Sequence, residues 1–221
     1  SDIGTGLAFG NITINSGGSL AAAALDFSTN GDWTNDIGTA GFTTSAGQQV
    51  TFTGSTARAV GGTGSTSFQD LTCELTGAAD PDHDLTFNTA CNIIGVLDVE
   101  DGQIVTSGNI TLVSSATGTA VVGNLSTGTP EATAISGNVI CQRFINENGS
   151  PKYHLLAAQT TGGTLSDWDD DIYFSGVPNS DDPDYFFVNT LTWDESTDHD
   201  VTSGFQNPTD ISNSLNNDGT G

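Results

Sequence analysis

Aspartate is the residue type in this chain that offers the most chemistry. Of the 27 acidic residues 22 are Asp, whereas Lys and Arg together number three, which gives a formal net charge of −24. Acids at alternate positions of a tight loop can converge on one Ca²⁺, which takes roughly six to eight oxygen ligands. The sequence therefore predicts calcium binding in the C-terminal third. The predicted ligands are Asp167, Asp169, Asp171, Asp182, Asp184, Asp198 and Asp200.

The acidic stretch does not follow the EF-hand pattern. Counted from Asp167, Ile172 stands where that loop requires Gly, and Pro178 stands where it requires Glu. The alternative to calcium is a solvated acidic face that keeps the chain soluble. Both interpretations remain open at this point.

No catalytic motif accompanies the acids. The sequence contains no Gly-x-Ser-x-Gly, no Gly-x-x-x-x-Gly-Lys and no His-Glu-x-x-His. Arg58, Arg143 and Lys152 are the only basic residues, and none is adjacent to an acidic pair, as cleavage of an acidic polysaccharide would need. We expect that the protein is not an enzyme, and a polysaccharide lyase or hydrolase is the weakest alternative.

Exposed aromatic side chains are a common feature of glycan-binding modules. Because the aromatic residues of this chain lie in strand-like segments, we favour packing in a core or cap over sugar binding. The candidates are Trp33, Trp168, Trp193, Tyr173, Tyr185, Phe186 and Phe187.

The charge and hydropathy of the chain argue against nucleic acids and membranes as partners. Nucleic acids and anionic membranes bind clustered Lys and Arg, which this chain lacks. The longest apolar run, residues 20–25, is too short to cross a bilayer, so we expect no membrane insertion. The chain starts at Ser1 without a recognisable signal peptide, and we expect it to be a processed piece of a longer polypeptide.

A short phrase recurs in the elements that must position these residues. Its asparagines, Asn92, Asn109, Asn124 and Asn138, are 17, 15 and 14 residues apart, and strand-like segments too short for helices lie between them. A near-constant step predicts a coil whose turns stack on one another, with an asparagine ladder at equivalent corners. A β-sandwich, whose strands also recur, is the alternative.

Two cysteines have a spacing close to that repeat. Cys73 and Cys91 are 18 residues apart, which we take as about one turn, so a disulfide between adjacent turns is predicted in an oxidising compartment. The alternative is two buried thiols.

Several segments resemble repeats in large secreted surface proteins of Bacteroidota. They are Gly31–Asn35, Gln49–Gly54, Phe68–Thr72, Val139–Ile145, Tyr153–Ala157 and Gly163–Tyr173. The resemblance implies export by the type IX pathway, an extracellular or cell-surface location, and a role as an adhesin, filament or surface layer. An open solenoid end or exposed edge strand can pair with another chain, so we expect partners among other copies of this chain or other surface proteins.

We therefore predict an all-β chain. Residues 1–149 form a right-handed parallel β-helix, and residues 150–221 form an acidic, aromatic-rich β cap or small β-sandwich-like domain, incomplete at its C-terminus. The predicted function is an extracellular structural or adhesive surface protein that is part of a larger polypeptide or filament, with Ca²⁺ as the predicted stabilising ion. The alternative is a glycan-binding module of a secreted polysaccharide-degrading system.

Overall fold

Short strands of two to six residues supply almost all the regular structure of the described residues. The computed structural model describes residues 7–77, 83–126, 133–144, 163–169, 172–193 and 205–212. The chain divides into two units, Ser1–Asn148 and Gly149–Gly221.

The strands of the first unit follow one another closely along the chain. They are β1 (Leu7–Phe9), β2 (Ile12–Ile14), β3 (Leu20–Ala21), β4 (Phe27–Thr29), β5 (Trp33–Asn35), β6 (Phe42–Thr43), β7 (Gln49–Gly54), β8 (Arg58–Gly61), β9 (Thr66–Phe68), β10 (Asp70–Leu75), β11 (Asp84–Phe87), β12 (Cys91–Ile93), β13 (Val96–Asp101), β14 (Gln103–Val105), β15 (Ile110–Leu112), β16 (Ser114–Ser115), β17 (Gly118–Thr119), β18 (Val121–Leu125), β19 (Ile135–Ser136) and β20 (Val139–Cys141).

These strands form stacked parallel sheets. The first sheet has the order β1-β4-β7-β10-β13-β18, the second β2-β5-β8-β11-β14-β19, and the third β9-β12-β15-β20. The short strands β3 and β6, which precede β9 in the sequence, pair with each other in a separate two-stranded sheet. Each strand pairs with the strand that lies one circuit of the chain earlier, so the unit is a β-solenoid of about five turns. The predicted parallel β-helix is thus confirmed. A small antiparallel hairpin, β16–β17, leaves the coil between β15 and β18.

Period-two alternation explains why these segments form the walls of a coil. In β7, Val50 and Phe52 point inward and are fully buried, whereas the intervening residues are partly exposed. Val50 is the register partner of Phe27 on one side and of Leu71 on the other. Inward side chains of successive turns therefore stack on one another and form one continuous apolar core.

Aromatic rings fill the first turns of this core. Trp33 has no exposed surface and lies with its ring centroid 4.8 Å from that of Phe42 and 5.0 Å from that of Phe68, both in edge-to-face geometry. Phe52 adds a further edge contact to Phe68 at 6.3 Å. Such ring pairs contribute about 0.5–1.5 kcal/mol beyond their buried area. The prediction of a packing role for Trp33 is confirmed.

One turn of the coil contains more residues than the spacing of the asparagines predicts. Register partners along the third sheet, Thr66, Cys91, Ile110 and Val139, are 25, 19 and 29 residues apart. The predicted asparagine ladder is wrong, because the asparagines are not all equivalent. Asn92 lies inside β12 opposite Ser67 and Thr111, and Asn124 lies in β18 of the first sheet.

Residues 149–221 contain little regular structure in their described part. A 3₁₀ helix spans Leu165–Asp167, and the antiparallel strands β21 (Thr192–Trp193) and β22 (Phe205–Gln206) form a two-stranded sheet. Residues 172–189 lie between the 3₁₀ helix and β21 and form a loop held by internal hydrogen bonds. The predicted cap or sandwich-like domain stays a prediction. None of the described residues belongs to a helix with the length and apolar character to cross a membrane.

Candidate functional site

Aspartates of the coil connect one turn to the next. In six places a side-chain Oδ1 accepts a hydrogen bond from a backbone N–H that lies 21–27 residues further along the chain. We call these the inter-turn Asx bonds. They run from Asn11 to Asp32 N (2.9 Å), from Asp26 to Gln49 N (2.8 Å), from Asp32 to Ala59 N (2.9 Å), from Asp36 to Thr63 N (3.0 Å), from Asp70 to Val96 N (2.7 Å) and from Asp98 to Asn124 N (2.7 Å).

The geometry of stacked strands accounts for the choice of Asp. Neighbouring strands lie about 4.8 Å apart, so a short side chain at one corner reaches the N–H directly on the next turn. A carboxylate that accepts from a backbone N–H makes a charge-assisted bond, which is stronger than one between neutral groups. Five of the coil's Asp residues thus have a structural partner within the protein.

Glycine makes room for these carboxylates. A Cβ at Gly95 would collide with Asp70 Oδ1, and one at Gly123 would collide with Asp98 Oδ1. In both cases the next residue donates the N–H of the bond. The sequence signal is therefore an Asp followed about one turn later by Gly and the donor residue, a spacing that the sequence analysis missed.

The predicted calcium ligands are only partly brought together. Asp167 accepts from Thr164 N at 2.7 Å and Thr164 Oγ1 at 3.0 Å, and these bonds hold the pKa of the Asp167 carboxyl below its ordinary value. Asp182 Oδ2 accepts from the Tyr173 hydroxyl at 3.3 Å, and Asp184 is exposed. Asp169 is half-buried. Asp171, Asp198 and Asp200 lie outside the described residues.

Calcium binding therefore stays a prediction. Within the described ranges, no group of three or more His, Cys, Asp or Glu side chains is placed to hold a metal ion. The two predicted ligands with the most contacts, Asp167 and Asp182, already accept hydrogen bonds from neighbouring groups of the same chain.

The predicted disulfide between Cys73 and Cys91 is absent, and both thiols are free and buried. Cys73 lies in the first sheet and Cys91 in the third, because a spacing of 18 residues is less than one turn of this coil. Burial raises the pKa of the Cys73 thiol to about 12 and also raises that of Cys91, so both are neutral at pH 7. The alternative of two buried thiols is the correct one.

Two of the surface grooves on the described part of the coil bear on the question of a catalytic site. One, of about 340 Å³, is lined mainly by apolar and small residues between Phe9 and Leu20. The other, of about 280 Å³, lies on the outer face of the first sheet and contains Asp26 and Glu74. Asp26 is already engaged in an inter-turn Asx bond. The lining of neither groove contains a basic residue, a histidine or a cysteine, and the expectation of no enzymatic activity stays a prediction.

Four of the aromatic side chains predicted to pack inside, all in the second unit, are exposed instead. Tyr173 is 61% exposed, Tyr185 49%, Phe186 87% and Phe187 61%. The ring centroids of Tyr185 and Phe186 are 5.0 Å apart, and those of Phe186 and Phe187 are 6.0 Å apart. Desolvation and the nearby carboxylates of Asp181 and Asp182 raise the pKa of the Tyr173 hydroxyl. We call these four residues the aromatic surface.

Trp168 is half-buried, and the side chain of Trp193 lies outside the described part of the structure. The aromatic residues singled out from the sequence therefore differ in outcome: Trp33 is buried in the coil, whereas Tyr173, Tyr185, Phe186 and Phe187 are exposed in the second unit.

The fold and these contacts define the class of protein: a parallel β-solenoid whose turns are joined by inter-turn Asx bonds, followed by a unit with an exposed aromatic surface. Comparisons of the chain with protein families, with curated proteins and with solved structures find no significant match.

Proposed function

We propose that the protein is an extracellular structural or adhesive surface protein, in which the coil is a stiff spacer within a larger polypeptide or filament. The inter-turn Asx bonds are the observation that carries this proposal. They add side-chain connections to a stack whose turns are already joined by backbone bonds of parallel sheets.

The direction of these bonds explains why such a coil suits a mechanical role. Backbone bonds between turns of a solenoid run along its axis, and many of them must break together before two turns separate. The apolar core is continuous from Ile14 to Ala134, so bending would also open packed contacts.

The outer face of the coil supports the same role. Carboxylates that would otherwise repel one another are partly engaged by backbone N–H groups, and the remaining charge favours solubility. The alternative function, a glycan-binding module, would use the aromatic surface of the second unit rather than the coil.

Single-molecule pulling tests the spacer proposal. We expect the coil to unfold cooperatively at a force that drops when both Asp70 and Asp98 are changed to Ala. Phe186→Ala, which changes an exposed ring of the second unit, is the matched control and should leave that force unchanged. A coil that extends gradually at low force, or that is indifferent to loss of both carboxylates, would contradict the proposal.

Location and assembly need a separate test. Protease treatment or surface labelling of intact cells of the source organism should reach the protein if it is extracellular. Electron micrographs of the purified chain at high concentration should show end-to-end particles if copies associate, whereas strictly single particles would count against a filament.

A further inference from the structure

The residues of the aromatic surface belong to a loop whose two ends are joined by hydrogen bonds. Ser175 N donates to Asn189 Oδ1 at 3.0 Å, and Asn189 Nδ2 donates to the Tyr173 carbonyl at 2.8 Å. Ser175 Oγ donates to the Phe187 carbonyl at 3.1 Å. These bonds hold the start of the loop against its end, so the rings project from a defined frame.

The same loop buries other apolar side chains. Phe174, the residue after the exposed Tyr173, is 3% exposed, and Val177 is fully buried. The loop therefore has an interior that accepts apolar groups, yet it leaves four rings in water. Contiguous exposed apolar surface of this kind commonly marks an interaction site.

The groups around the rings are electron-rich. Asp181, Asp182 and Asp184 lie within four residues of Tyr185 in the sequence, and Asp182 Oδ2 accepts a hydrogen bond from the Tyr173 hydroxyl. The face of an aromatic ring carries partial negative charge, and each ionised carboxylate carries a full negative charge. The sequence contains no Lys or Arg after Lys152, so the second unit offers no nearby cation from residue 153 onward.

The chemistry of this surface favours a cationic occupant over the other classes. An anionic ligand would be repelled, and an apolar partner would have to desolvate the carboxylates without pairing them. A neutral glycan could stack on the rings but would gain nothing from the net charge. A cation gains from the ring faces and from the carboxylates together.

Arginine fits these groups better than lysine. Its planar guanidinium stacks on aromatic faces and pairs with carboxylates through two parallel bonds, whereas the ammonium of lysine is a compact and strongly hydrated charge. This sequence has only Arg58 and Arg143, both in the first unit, so further arginines for this surface come from outside it.

We propose that the aromatic surface formed by Tyr173, Tyr185, Phe186 and Phe187 binds an arginine-bearing basic segment of a partner protein. Guanidinium groups stack on the exposed rings, and the carboxylates of Asp182 and Asp184 supply the opposite charge. The site is independent of the spacer role of the coil.

Calorimetric titration of the whole chain with a synthetic peptide of alternating Arg and Gly tests this proposal. We expect binding that weakens about fivefold or more in Phe186→Ala, because ring–cation contacts contribute about that much once desolvated. Peptides with Lys in place of Arg should bind more weakly, and peptides with Gln should not bind.

The matched controls separate stacking from simple attraction to an acidic protein. Phe186→Ala keeps every charge, and Phe144→Ala removes another half-exposed ring, in the coil, without touching the aromatic surface. We expect Phe144→Ala to bind the peptide as the parent does. Circular dichroism of each variant shows that it is folded.

Three outcomes would overturn the proposal. The first is no binding of the Arg peptide at low salt. The second is equal affinity of the parent and of the double variant Phe186→Ala, Phe187→Ala, which would leave net charge as the whole cause. The third is an array of neutral oligosaccharides with a defined ligand that is lost in Phe186→Ala while the Arg peptide is unaffected, which would assign the surface to a glycan.

Discussion

The coil and the second unit use the same two residue types in opposite ways. In the coil, Phe68 and Trp33 are fully buried and Asp70 accepts a backbone N–H of the next turn. In the second unit, Phe186 is 87% exposed, and Asp184 is exposed as well. Asp70 and Phe68 therefore support the structure of the coil, whereas Asp184 and Phe186 are presented to solvent.

The difference follows from what a repeating stack provides. Each strand of the coil has a neighbour at a constant distance on the turns before and after it, so an inward ring meets other rings and an outward Asp meets an N–H. Among the described residues, the loop of residues 172–189 has no such neighbour over its exposed rings. We infer that position in a stack, rather than residue type, assigns the role.

The largest expected effect concerns the buried rings. Phe68→Ala should lower the free energy of unfolding of the coil by about 3–5 kcal/mol, since it removes a fully buried ring and leaves a cavity. Phe186→Ala should change it by less than about 0.5 kcal/mol. Urea unfolding followed by tryptophan fluorescence measures both. Similar losses in the two variants would remove the contrast between the regions.

A smaller effect is expected where glycine makes room for a carboxylate. A methyl group at Gly95 would lie 3.0 Å from the Gln69 carbonyl and closer still to Asp70 Oδ1, so Gly95→Ala should cost about 1–3 kcal/mol. Gly118→Ala is the control, because nothing lies within 4 Å of a Cβ there.

The same variant gives a test of coupling. If the cost at Gly95 arises from displacement of the Asp70 carboxylate, Gly95→Ala should cost clearly less in an Asp70→Ala background. Additive costs in a double-mutant cycle, measured by urea unfolding, would show that the two residues act separately.

The inter-turn bond itself should contribute somewhat less. Asp70→Ala should lower the free energy of unfolding by about 1–2 kcal/mol, because the Val96 N–H loses its acceptor. Asp70→Asn should cost less than half as much, since its amide Oδ1 can still accept the bond. Thermal and urea unfolding of both variants provide the measurement. Equal losses for Ala and Asn would mean that the negative charge, not the hydrogen bond, is required.

The smallest expected effect lies in the second unit, at Asp167. Its pKa is lowered by hydrogen bonds from Thr164, so its contribution to folding is present above the ordinary carboxyl pKa and is lost as the pH falls through the lower folded value. Thr164→Val removes the hydroxyl donor and should move the pKa back toward its ordinary value. NMR titration of the Asp167 carboxyl measures this shift.

The same titration addresses calcium. If Asp167 is a calcium ligand, as the sequence predicts, millimolar Ca²⁺ should lower its pKa further, because the cation favours the ionised carboxyl. An unchanged titration curve with and without Ca²⁺ would contradict calcium binding at this residue.

Part of this architecture could be predicted from local pattern. The alternation in Gln49–Gly54 correctly predicts a strand with one buried face, and the repeated short segments correctly predict a parallel coil. These features depend on contacts that every strand makes with similar neighbours, so they leave a periodic trace in the sequence.

Two of the failed predictions, the disulfide and the asparagine ladder, required the length of a turn. Cys73 and Cys91 were matched, and the asparagines aligned, on steps of 14–18 residues, whereas register partners in the third sheet are 19–29 residues apart. Turn length varies because loops of different size join the strands, and loop length is weakly constrained by energy. A repeated phrase therefore need not mark a complete turn.

The sequence by itself determined that the chain is all-β, acidic and built from short strands that stack, because strand formation depends on neighbouring residues. Only the tertiary structure decided which Asp reaches which N–H, that Cys73 and Cys91 lie in different sheets, and that Phe68 is inside while Phe186 is outside. The physical reason is that these roles depend on residues a full turn or more away, and that distance is set by how the sheets pack.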